Sequence, residues 1–131
     1  MSTTNKSGGT GARGLISGIV SNGSTWWEDF QITEDGTVIT SADTWTWKMT
    51  FREDYGCSAA LTLTTADGTL TISQGASATT IQIRVAHTSL TDLEGDYICD
   101  LGSLDTSTTQ DRVIHWAHGN VTFRNEPIGF D

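Results

Sequence analysis

Two histidines three residues apart, His115 and His118, are the first place to look for metal chemistry. On a helix that spacing would put both rings on one face. The run around them, Val-Ile-His-Trp-Ala-His-Gly-Asn-Val-Thr-Phe, is β-like instead, and in a strand positions three apart point to opposite sides. Joint ligation would need a bulge between them, so the sequence predicts no metal site. Gly9-Thr10-Gly11-Ala12-Arg13-Gly14 spells the dinucleotide fingerprint, which works only between a buried strand and a helix. Here eight polar residues precede it and a strand follows, so it reads as an arm and implies no cofactor. No Gly-x-Ser-x-Gly elbow marks a nucleophile. Asp92, Glu94, Asp96 and Asp100 lack the spacing of an EF-hand loop, and Asp96 and Asp100 share the wet face of one strand. The expectation is a non-enzymatic chain without cofactor or metal.

Cys99 falls in phase with Tyr97 and Leu101 and should face the core, whereas Cys57 follows a turn at Tyr55-Gly56. They could pair across two sheets, but a reducing compartment favours two thiols.

The five tryptophans are the larger surplus. Trp45 and Trp47 share a face with Met49 and Phe51, so the core is their default place. Trp26 and Trp27 are adjacent, and in a strand one of them must point outward. Trp116 is out of phase with Val113, His115 and Val121. An outward indole marks a subunit contact or a sugar-stacking platform, Trp27 and Trp116 being the pair that could stack a sugar. The candidate interface residues are Arg13, Trp26, Trp27, Tyr55 and Trp116.

The elements that must position these residues are strands. Thr44 to Phe51 alternates polar and large apolar side chains, the pattern of a sheet with one buried and one wet face. Comparable runs are Gly14 to Val20, Ser24 to Ile32, Ala59 to Thr64, Leu70 with Ile72, Ile81 to Val85, Gly95 to Leu101 and Arg112 to Arg124. The strand around Trp45 is expected to span 43 to 52, and the last strand to break near His118-Gly119. Turn signals separate the runs at Asp35-Gly36, Ala66-Asp67-Gly68 and Gly75 to Ala78. Residues 87 to 94 cross over with a helical turn at Leu90 to Leu93, and 103 to 111 read as a polar loop. The organisation is a flexible Gly/Ser/Thr arm over 1–13, one all-β domain over 14–124 and a tail over 125–131. Seven or eight such strands make an antiparallel β-sandwich or a small barrel.

With 131 residues and a formal charge of −9, the chain is large enough for one core and strongly acidic. That charge repels phosphates and anionic lipid surfaces, which argues against nucleic acid and membrane as partners. Residues 1–13 lack the apolar middle of a signal peptide, so synthesis in a reducing cytoplasm is expected.

Taken in order, several motifs resemble a family of small bacteriophage virion proteins. They are Gly23-Ser24-Thr25-Trp26, Asp35-Gly36, Trp45 to Arg52, Ile81 to Val85, Leu90 to Leu93, Gly95-Asp96-Tyr97 and Gly119-Asn120-Val121. Over about residues 23 to 124 the pattern is similar to the N-terminal domain of phage upper baseplate proteins. The resemblance implies an immunoglobulin-like sandwich, made in the host cytoplasm and located in the virion, that docks onto other virion proteins as a symmetric homo-oligomer. Since no fibre stalk follows residue 131, it implies an adaptor, collar or decoration role.

Overall fold

The computed structural model describes residues 2–3, 14–32, 39, 41–76, 79–107 and 109–126. They form nine strands in two sheets: β1 (Ser2–Thr3), β2 (Gly14–Ser21), β3 (Trp26–Ile32), β4 (Thr46–Arg52), β5 (Leu61–Thr64), β6 (Leu70–Gln74), β7 (Thr79–Val85), β8 (Gly95–Asp105) and β9 (Arg112–Arg124). The larger sheet has the order β1-β2-β9-β8-β4-β5 and the smaller one β3-β7-β6. The all-β expectation holds, with one departure. β2 runs parallel to β9, so the larger sheet is mixed and not antiparallel throughout.

The alternation seen in the sequence is realised as burial. β4 buries Trp47, Met49 and Phe51, β7 buries Ile81, Ile83 and Val85, and β8 buries Tyr97, Cys99 and Leu101. These side chains meet between the sheets. Trp26 of the smaller sheet lies edge-on to Phe51 (5.4 Å) and Phe123 (5.8 Å) of the larger one. Edge-to-face rings present positive edges to negative faces, which adds to the apolar burial.

Asn22 ties three loop segments together. Its Nδ2 donates to the Leu93 carbonyl (2.9 Å) and its Oδ1 accepts from the Glu126 amide (3.2 Å). It is almost fully buried, so both bonds are needed to satisfy its amide away from water.

Several boundaries differ from the sequence reading. Residues 42–44 form a 3-10 turn, and the strand starts at Thr46. The buried Trp47 indole sets that turn, its Nε1 donating to the Ala42 carbonyl at 2.8 Å. β8 continues through Asp105, into the expected loop, because β9 stays paired with it as far as Arg112. Before β8 a 3-10 turn lies at His87–Ser89, and the expected turn follows it, closed by the Leu93 amide donating to the Leu90 carbonyl at 2.9 Å. Within the expected arm, Ser2–Thr3 pair with β2, while Arg13 and the Asp35-Gly36 turn lie outside the described residues.

The largest correction concerns β9. It does not break at His118-Gly119 but carries one extra residue: Leu101 pairs with Ala117 and Gly102 with His115, leaving Trp116 unpaired between them. A bulge shifts the side-chain phase by one position. Ile114 and Trp116 point inward before it, and Ala117, Val121 and Phe123 point inward after it.

Candidate interaction surface

The bulge decides the fate of Trp116. Expected to face outward, it is buried. It stacks on Trp47 (5.6 Å) and Trp45 (6.3 Å), and its Nε1 donates to the Ser103 hydroxyl at 2.7 Å. Trp26 is equally buried against the two phenylalanines. Both side chains are committed to packing within the domain, and neither is offered to a partner. Tyr55 is exposed in the loop between β4 and β5, where its amide donates to the Asp54 carboxylate. It takes no part in the cleft described next.

Trp27 is the outward indole. It is 69 % exposed on the outer face of the smaller sheet. Its cross-strand partner on β7 is Arg84, whose guanidinium carbon lies 3.9 Å from the ring centroid. That separation is well inside cation–π range. Arg84 is itself held: Nη1 lies 2.8 Å from Asp29 Oδ1 and donates to the Ile83 carbonyl at 2.7 Å. The ring is thus braced from behind by a fixed cation and keeps a face toward solvent. Beside it, a cleft of about 170 Å³ runs between the end of β2 and the start of β3, with Ile19, Ser24 and Glu28 in its walls. Ile19 is 51 % exposed. A tryptophan, an arginine and an aliphatic side chain grouped on one surface have the composition of protein-contact hot spots.

The opposite face of the domain carries a different feature. On the outer side of the larger sheet, β4, β8 and β9 enclose an open trough of about 440 Å³. Gly102 leaves its floor without a side chain. Leu104 and Val113 line one end, while Lys48, Asp100 and His115 line the other. The sequence reading put His115 and His118 on opposite faces. The bulge between them brings both to this outer face, since His115 pairs with Gly102 and His118 with Asp100. His115 Nε2 lies 3.0 Å from Asp100 Oδ1, and His118 Nδ1 is buried without a partner. Even so, no three His, Cys, Asp or Glu among the described residues are grouped to hold a metal ion.

The two cysteines are free. Cys99 is buried under the larger sheet and Cys57 is exposed. Burial pushes the Cys99 thiol up, and the Asp100 charge adds to the shift, so no reactive thiolate forms there.

No protein-family model matches the chain, and neither does any curated protein.

Arg84, Ile19 and Lys48 were not singled out from the sequence. Arg84 read as one more wet position of an alternating strand. Its value comes from sitting opposite Trp27, which only the β3–β7 register reveals.

Proposed function

We propose that this chain is an immunoglobulin-like sandwich serving as a bacteriophage virion structural protein. In this reading it is an adaptor or accessory component of the tail, baseplate or collar, and it works by protein–protein contact without catalysis. Three features support the immunoglobulin-like assignment. Apart from the two-residue β1 at its edge, the larger sheet has the order β2-β9-β8-β4-β5, and the smaller has β3-β7-β6, a split expected of a variable-type sandwich. Trp47 is buried on β4, the position of the core tryptophan in such domains. Tyr97 stands near the start of β8, buried and two residues before the buried Cys99, which matches the position of the tyrosine in such domains, though not, among the described residues, its hydrogen bond. The strand opposite supplies Trp26 and Phe30 to the core and no cysteine, so the inter-sheet bridge of antibody domains is replaced by aromatic packing.

The observation that carries the contact role is Trp27, exposed and stacked on a pinned arginine. Tryptophan and arginine are the residue types enriched at contact hot spots, and here they stand together on an exposed surface. The virion setting rests on the motif order from Gly23 to Val121. A carbohydrate-binding role is the weaker reading, because it needs two exposed coplanar rings and Trp116 lies in the core. The deciding experiment is quantitative mass spectrometry of purified phage particles, referred to the major capsid protein. A low copy number in small multiples of a ring symmetry supports tail, baseplate or collar. Hundreds of copies would mean capsid decoration. Absence from the particle overturns the virion reading.

A further inference from the structure

We propose that the partner of the Trp27 surface is a second copy of this chain, which receives the indole in the trough on its larger sheet. This deepens the contact role above, on which it rests, by naming the surfaces and their arrangement. The knob and the trough lie on the outer faces of opposite sheets, so the contact joins unlike surfaces head to tail. Each copy then keeps one free knob or one free trough, and growth ends in a ring where the rotation between copies closes and in an open filament where it does not.

The trough suits the indole in size and in chemistry. Its volume of about 440 Å³ lies within the range of clefts that enclose organic groups. Gly102 and the bulge make that space: a Cβ at Gly102 would meet the Ile114 carbonyl at 3.3 Å, so a side chain there would press on the neighbouring strand. Val113, 74 % exposed, and its cross-strand partner Leu104 offer an apolar wall. The charges beside the two features are complementary. Around the knob stand Arg84 and Asp29, and around the trough stand Lys48 and Asp100. Arg84 stays on Asp29 and Asp100 stays on His115, so the contact that seating the ring adds is Lys48 against the outer side of the Asp29 carboxylate. Lys48 has no ion pair among the described residues, which leaves its ammonium for the neighbour's carboxylate. In a chain with 16 acidic and 7 basic residues, a free lysine beside an apolar trough favours this pairing over repulsion between two acidic copies.

The outer face of the smaller sheet is small. Two seven-residue strands spanning roughly 23 Å and one five-residue strand, side by side, offer a few hundred Å². That is less than the roughly 800 Å² per partner of a standard interface, so the contact is weak in solution and gains strength from repetition in an array.

The test measures mass by sedimentation equilibrium up to about 1 mM protein, the range in which such a contact is populated. The wild type is expected to self-associate. Trp27→Ala removes the knob and Lys48→Glu spoils the trough; both sites are exposed, and thermal melts check that each variant folds. Each variant alone is expected to associate at least about 30-fold more weakly, as for a contact hot spot. Mixed in equal amounts, they should form a 1:1 dimer at near wild-type strength. The intact trough of the first variant accepts the intact knob of the second. A wild type monomeric at 1 mM overturns the self-docking, as does an unaffected Trp27→Ala variant or a mixture that stays monomeric. If such a protein is still found in purified particles, only the self-docking fails and the virion reading stands.

Discussion

Removing a single hydroxyl from Ser103 tests the bulge and the tryptophan cluster together. Ser103 is almost fully buried on β8, and its Oγ accepts the Trp116 indole N–H at 2.7 Å. In Ser103→Ala the N–H stays buried with no acceptor, and an orphaned buried donor costs about 1–3 kcal/mol. Thr122→Ala is the control. It deletes a hydroxyl from the same β8–β9 ladder, but the bond lost, Thr122 Oγ1 to Asp96 Oδ1, is exposed, and water replaces it at a cost below about 1 kcal/mol. Urea unfolding followed by tryptophan fluorescence reads the difference. With a slope near 2 kcal/mol per molar, a loss of about 2 kcal/mol lowers the midpoint by about 1 M. The cost should also vanish when the donor is gone. In a Trp116→Phe background, itself destabilised by the lost ring volume, Ser103→Ala should be nearly neutral, giving a coupling of about 1–2 kcal/mol. Ser103→Ala within about 0.5 kcal/mol of wild type, or an equal loss in both backgrounds, would refute the placement of Trp116 over Ser103.

Thiol titration of the native protein should count one reactive cysteine, Cys57, and a second only in denaturant, because Cys99 is buried with its thiol held up; two native thiols would contradict this. Gly68 sits at φ 82° in the β5–β6 turn with open space around it, so Gly68→Ala should cost about 1 kcal/mol from backbone strain alone, visible as a lower urea midpoint. Hydrogen bonds from the Thr69 hydroxyl and amide hold the Asp67 carboxyl below its ordinary 3.8. A lowered folded-state value means the stabilisation is complete above pH 4 and is lost as pH falls through the folded value, so Asp67→Ala should flatten the loss of stability below pH 4. Asn22→Ala should cost about 1–3 kcal/mol by orphaning the buried Leu93 carbonyl, measured by the same urea unfolding.

Much of this fold is readable along the chain, because burial on one face imposes a period of two wherever a strand is regular. Trp47, Met49 and Phe51 announce themselves in this way, as do Ile81, Ile83 and Val85. What resists reading is set by partners distant in sequence. The bulge at Trp116 exists because β8 supplies one residue fewer over that stretch, a fact of register that Val113 to Phe123 alone does not encode. The 3-10 turn at Ala42–Thr44 answers to the Trp47 indole, which takes the Ala42 carbonyl and overrides the alternation of the residues before Thr46. The strand order was equally out of reach. The parallel pairing of β2 with β9 joins residues about a hundred positions apart, and the chain carries no local signal for it.

One inserted residue accounts for features on both sides of the larger sheet. Without the bulge, strict alternation in phase with Ala117 and Val121 would send Trp116 outward and turn His115 into the core. An indole would then leave the stack formed with Trp45 and Trp47, and an imidazole would need burial without the Asp100 carboxylate that now meets it. With the bulge, the indole completes the core and His115 joins Lys48 and Asp100 at the rim of the trough. The apolar core and the outer trough are therefore not independent. A substitution that removed the bulge, such as deletion of Trp116, would have to rebuild both. The trough should be as persistent as the core beneath it, a property expected of an assembly surface and not of a loop-built site that can adjust to its ligand.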